Sequence, residues 1–268
     1  MPTRPPWMLL PPALLAALVL VLPTVALLIR APWADLPTIY GHADSADGVD
    51  VGAAVRLSLI AAAITTAIAA VLGAPLAWLL ARISFPGRGL LRAAVTLPMV
   101  LPPVVGGLSL LLAFGRRGVF GQWLDQWFGM SLAFTPAAVV LAQLFVAMPF
   151  LVVTLEGAFR VGDRVHEEAA ATLGASRMQV FLRVTVPMAL PSLGAGMVLC
   201  WSRALGEFGA TVLFAGNVID HTQTAPTGVL TAFQSSPEEA IALSLPMILI
   251  AVVVLVALRD RWLRALLR

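Results

Sequence analysis

Six apolar runs decide what this chain can become. They extend over roughly Met8 to Ile29, Gly52 to Ala81, Leu90 to Phe114, Pro136 to Phe159, Val184 to Ala215 and Ala240 to Leu258. Each can cross a hydrocarbon layer of about 30 Å, which takes about 20 residues of α-helix. Lipid offers no partner to a free peptide group, so every run is expected to be helical. Only 12% of the 268 residues are charged, about half of what an ordinary soluble domain carries. No large soluble domain fits beside the spans. The expectation is an all-α membrane protein of about six transmembrane helices, a single domain over 1–268. Arg4 and the first run together resemble a signal peptide, but the run exceeds the apolar core of about 7–15 residues usual there, so a retained helix is expected.

Proline and glycine mark the third run as the least regular. Its core, Leu97-Pro98-Met99-Val100-Leu101-Pro102-Pro103-Val104-Val105-Gly106-Gly107, lacks three amide donors and ends in two residues without side chains. A straight helix is not expected there.

Arginine placement orients the spans. There is no lysine, and with both termini in the cytoplasm twelve of the 17 arginines fall inside: Arg4, Arg82, Arg88, Arg92, Arg160, Arg164, Arg177, Arg183, Arg259, Arg261, Arg264 and Arg268. Arg30, Arg56, Arg116 and Arg117 fall outside, and Arg203 lies within the fifth run. This asymmetry is the positive-inside pattern. The first outer loop, with Asp35, Asp44, Asp47 and Asp50, reads as solvated and periplasmic. The arginines are dispersed and have no stacking aromatic series, which argues against nucleic acid as a partner. A Walker A loop needs lysine, so the chain has no such ATP site of its own. His42, His166 and His221 are far apart, and Cys200 is the only cysteine. No metal site, bound cofactor or catalytic constellation is expected.

The chemistry of the inner side gathers in the loop between the fourth and fifth runs, residues 161–183. Val161 to Arg183 reads VGDRVHEEAAATLGASRMQVFLR. Asp163 can cap a first short helix, with Glu167 near its positive end. Gly174 suits a left-handed helix end. Ser176 and Gln179 form a capping box for a second helix, with Val180, Phe181 and Val184 as its apolar face. From this pattern the loop is either a connecting hairpin or a helix-turn-helix built to dock on a partner.

Glu168-Ala169-Ala170, then Gly174, then Val184-Thr185-Val186-Pro187 resemble the EAA loop of bacterial ABC importer permeases at every spacing, with Val184 and Val186 at the aliphatic positions. The resemblance implies the type I permease arrangement, with the loop as a coupling helix docking on a separate ATPase. It implies Glu167, Glu168, Ala169, Ala170, Gly174, Ala175 and Pro187 as coupling residues. Leu101 to Gly107, Phe114-Gly115-Arg116-Arg117-Gly118, Arg203 to Thr211 and Ala215-Gly216-Asn217 are similar to the molybdate or tungstate subfamily; sulfate and thiosulfate permeases share the Gly206-Glu207-Phe208-Gly209 core. After Thr222-Gln223-Thr224 the chain departs from that subfamily, reading Ala225-Pro226-Thr227-Gly228.

The implied partners are two ATPase subunits using ATP and Mg, a periplasmic or lipid-anchored oxyanion-binding protein, membrane lipid and a second copy of this chain. One chain holds one coupling loop and no internal repeat, so two ATPases imply a homodimer. Arg203 and Glu207, at i and i+4 in an apolar run, either neutralise each other structurally or border the anion pathway with Gly206, Gly209, Thr211, Pro102 and Pro103. An ion-coupled secondary transporter is the rival from another class, but the inverted repeats usual there are not visible.

Overall fold

The computed structural model describes residues 7–41, 50–161 and 164–266, and all regular structure among them is helical. A 3-10 turn, Trp7–Leu9, leads into α1 (Leu10–Ile29); the short α2 (Leu36–Gly41) follows, then α3 (Val51–Arg82), α4 (Arg88–Val100), α5 (Pro103–Phe114) and α6 (Gly121–Phe128). After α7 (Pro136–Val161) come α8 (Arg164–Thr172), α9 (Arg177–Val180), a π-turn over Phe181–Thr185, α10 (Val186–Leu205), α11 (Gly209–Phe214), α12 (Ala225–Ser235) and α13 (Pro237–Leu266). Among the described residues five helices are long and apolar enough to span, and the bent pair α4 and α5 gives a sixth when counted as one span.

The core is the trio α3, α7 and α10. Thr65 donates to the Val140 carbonyl and to Gln143, while further along Gly73 lies under Leu151 and Val152, so α3 and α7 run parallel. Gly196 sits against Leu151 and Thr154, and Cys200 lies against Thr66, so α10 runs the opposite way. Buried alanines along all three helices let the axes approach closely, with Leu80, Leu151 and Leu155 filling the remainder. By contrast, no residue of α1 is buried.

The third run crosses as two helices. The chain bends by 119° between its halves, because proline forces the residue before it into an extended conformation and Pro102-Pro103 does so twice, at Leu101 (ψ 135°) and at Pro102 (ψ 131°). The chain still climbs across the bundle: Arg92 is beside Glu156, Gly106 packs under Phe145 nearer the middle of α7, and Leu110 joins the cluster around Ala138 and Val139.

Three expectations need correction. The fifth run, read as one helix from Val184 to Ala215, stops at Leu205 and restarts at Gly209. Its other end begins earlier, since α9 runs through the π-turn into α10. Pro187 has no amide and its ring would strike the carbonyl of Arg183 in regular helix; the wide turn, with the Val186 amide donating to the Phe181 carbonyl, relieves this. In the first outer loop, read as merely solvated, residues 36–41 form α2, and the Tyr40 hydroxyl donates 2.7 Å to the Ala242 carbonyl on α13, burial pushing its phenol up. Asp44, Asp47 and His42 lie outside the described residues.

Candidate functional site

The loop singled out by sequence is two helices hinged at one glycine. α8 closes as the Ala175 amide reaches the Ala170 carbonyl and the Gly174 amide reaches that of Ala171. This closure requires the left-handed residue that Gly174 supplies, at φ +88°. Ser176 and Gln179 then cap α9 reciprocally, Ser176 N–H to Gln179 Oε1 at 2.8 Å and Gln179 N–H to Ser176 Oγ at 3.4 Å. Asp163, expected to cap α8, lies outside the described residues.

The two adjacent glutamates have different surroundings. Glu168 is exposed, as are Ala169, Gly174 and Pro187, while Ala170 and Ala175 are half-buried. Glu167 turns inward: one of its oxygens accepts from Arg82 Nη2 on α3 and from Thr185 Oγ1 on the π-turn, both at 2.9 Å. A groove of about 720 Å³ separates the loop from α3, lined by Pro75, Trp78, Met178 and Phe181 with Arg82 and Glu167 at its edge. Trp78 and Phe181 meet edge to face, 5.5 Å between centroids. A second hollow of about 310 Å³ lies between Ala170, Leu173, Gly174, Gln179 and Arg183.

Toward the other side, Arg203 and Glu207 are paired, Nη1 to Oε2 at 2.6 Å, with Arg203 28% exposed and Glu207 1%. Glu207 stands in the break between α10 and α11, not inside a helix as expected, and its Oε1 accepts from the Ala210 amide at 2.9 Å. The carboxylate therefore starts α11 and holds Arg203 at once. Gly209 is buried because Pro103 covers it: a Cβ there would meet the Pro103 Cβ at 2.8 Å, and one at Gly107 would meet the Ala210 carbonyl at 2.8 Å. These two glycines let α5 and α11 touch. Thr211 is fully buried, whereas Gly206, Pro102 and Pro103 are exposed and Arg203 partly so.

Comparison with known proteins places this arrangement. Residues 71–268, which include the hinged loop and both helix breaks, match the family described as the binding-protein-dependent transport system inner membrane component. The chain belongs to that family. It is 42% identical over 257 residues to the molybdenum transport system permease protein ModB of Mycobacterium bovis, covering 96% of this chain and 94% of that one. It is 36% identical over 224 residues to the sulfate transport system permease protein CysT of Salmonella typhimurium, covering 82% and 78%. The fold is shared with a bacterial ABC transporter involved in import of the acidic polysaccharide alginate, at TM-score 0.70 over 95% of this chain and 92% of that one, with 18% identity.

The protein is thus a multi-pass inner-membrane permease subunit of a binding-protein-dependent ABC importer. Such a subunit carries no ATPase domain and works with an ATPase and a periplasmic binding protein; the reading as an ion-coupled secondary transporter is set aside. Within this permease, sequence reasoning missed Arg82 and Thr185 as the partners of Glu167, and Glu156 as the anchor of Arg92 and Arg160. A signal existed for the last: an acid in an apolar run, four residues before an arginine, is a costly feature that calls for partners. Arg116 pairs with Asp125 of α6 at 3.2 Å.

Proposed function

We propose that this permease moves molybdate or tungstate into the cytoplasm as a homodimer, each copy a single membrane domain over 1–268. The observation that carries the reading is the identity of 42% along nearly the whole of both chains with a relative named for molybdenum transport, against 36% over a smaller share for one named for sulfate transport. Sulfate is the second reading, favoured by that latter relative.

The 161–183 loop is the coupling helix, and the termini are cytoplasmic. Glu168, with the small surfaces of Ala169, Ala170, Gly174 and Ala175, faces the ATPase, whose ATP and Mg supply the energy. The exposure of Glu168 beside the hollow along Ala170 and Gly174 supports this docking. Arg203, Gly206, Pro102 and Pro103 border the anion pathway; a guanidinium already held by Glu207 attracts a doubly charged oxyanion without trapping it, as conduction requires. Thr211 and Gly209, buried in the single chain, act there by packing.

The test is uptake of radiolabelled molybdate by proteoliposomes holding the permease with its ATPase and binding protein, with tungstate or sulfate as competitor. Competition by tungstate and not by sulfate is expected. Stronger suppression of molybdate uptake by sulfate than by tungstate would transfer the assignment to the second reading.

A further inference from the structure

Resting on the reading of 161–183 as the coupling loop, we propose that the two adjacent glutamates divide the work: Glu168 meets the ATPase, and Glu167 is a positioning residue that passes the movement of the loop into α3 and α10. The inference comes from one carboxylate oxygen with two donors on different elements. Arg82 Nη2 belongs to the last turn of α3, and Thr185 Oγ1 to the π-turn that opens α10. Glu167 itself belongs to α8.

The surroundings make this link hard to replace. Arg82 is 10% exposed on its side chain, and its Nε is buried without an acceptor, so Glu167 is its carboxylate partner among the described residues. Below the link, a groove of about 720 Å³ lies between the loop and α3, and Phe181 meets Trp78 across it. A lever separated from its load by a groove transmits force through the few points that bridge it. The ring contact is compatible with a range of centroid separations, about 4.5–7 Å; a charge-assisted hydrogen bond is directional and short. The π-turn is a place where a helix can change its winding, and Thr185 lets Glu167 pull on it directly.

The experiment uses the complete importer in proteoliposomes and measures three quantities: ATPase co-purifying with the permease, ATP hydrolysed, and labelled molybdate taken up. Glu167→Gln is expected to retain the ATPase and its hydrolysis while the ATP spent per anion rises about five-fold or more, the lower end of ordinary coupling between sites. Thr185→Val, which removes a donor without touching charge, should shift the ratio in the same direction. The exchange Arg82→Glu with Glu167→Arg should recover most of the ratio and keeps the test decisive if Glu167→Gln is poorly folded. An unchanged ratio in both Glu167→Gln and Thr185→Val overturns the proposal, as does loss of the ATPase from a folded, membrane-inserted Glu167→Gln permease. Failure of the underlying reading has another signature: Glu168→Lys then keeps both the ATPase and uptake.

Discussion

Arg92 on α4 and Glu156 on α7 meet across the arginine-rich end of the permease, Nε and Nη2 lying 2.8 and 2.5 Å from the same carboxylate oxygen. Arg160, one turn on, donates to that oxygen at 2.7 Å, and Arg92 also reaches the Leu80 carbonyl on α3 at 3.2 Å. The bent third run is therefore pinned at its Arg92 end to two of the three core helices, α7 and α3. Glu156→Ala leaves two arginines without their carboxylate. With Arg92 34% and Arg160 46% exposed on their side chains, water offsets part of the loss, which should come to about 1–2 kcal/mol rather than the larger cost of a fully buried pair. Arg92→Ala leaves Glu156 held by Arg160 and should cost less. Thermal melting in detergent of the two variants gives the comparison; an equal or larger loss for Arg92→Ala would contradict it.

The contact between α5 and α11 predicts a sharp size limit. Gly107→Ala and Gly209→Ala each place a methyl within 3 Å of backbone or ring atoms, and neither neighbour is the free end of a flexible chain. Overpacking of this kind costs about 1–3 kcal/mol. Both variants should melt early and transport poorly, whereas Gly89→Ala on α4, where a Cβ meets nothing within 4 Å, should match the wild type. A normal melting temperature for Gly107→Ala would show that the two helices separate without cost.

Gly174 tests the hinge between α8 and α9. At φ +88° a β-branched residue is strained, while asparagine tolerates the left-handed region better than other side chains. Gly174→Val should lose most uptake and Gly174→Asn should keep a substantial part, with equal amounts of each in the membrane by immunoblot. Equal activity of the two would mean that the turn is not needed.

Arg203 and Glu207 separate a structural role from a pathway role once the second task of Glu207 is considered. Arg203→Ala leaves an unpaired carboxylate that is 1% exposed and should destabilise the protein. Adding Glu207→Gln removes the charge and keeps an oxygen for the Ala210 amide, so stability should return; adding Glu207→Ala should restore less, because the start of α11 loses its acceptor. Uptake by the Arg203→Ala, Glu207→Gln variant then reports on the pathway alone. It should stay low if the anion passes Arg203, and wild-type uptake would remove Arg203 from the pathway.

Orientation can be read chemically. Ser176 and Ser235 are both exposed, and Cys200 is fully buried, so it contributes little background. A cysteine at Ser235 should react with an impermeant thiol reagent in intact cells, and one at Ser176 only after the cells are opened. The reverse pattern would invert the proposed topology and remove the proposed coupling role from the loop.

The helices themselves were legible in the sequence because membrane insertion leaves the backbone little choice: an apolar run of sufficient length must satisfy its own peptide groups, and does so as helix. The capping box at Ser176 and the left-handed Gly174 were equally legible, since both depend on residues within a few positions of each other. The match to the permease family along 71–268 accords with that local information. Proline spacing announced that the third run would break, although the angle depended on two successive extended residues.

Tertiary structure alone decided which of two identical neighbours turned inward. Glu167 and Glu168 have the same chemistry and nearly the same sequence context, and only the arrival of Arg82 from α3 and Thr185 from the π-turn distinguishes them. The same holds for Gly209, whose value lies in Pro103 pressing on it from another helix, and for Glu207, which ends one helix and starts the next because both Arg203 and the Ala210 amide are within reach. Composition and short-range pattern govern whether a segment is helical and where it turns; which polar atoms meet across helices depends on how the helices pack, and that is set by side chains distant in sequence.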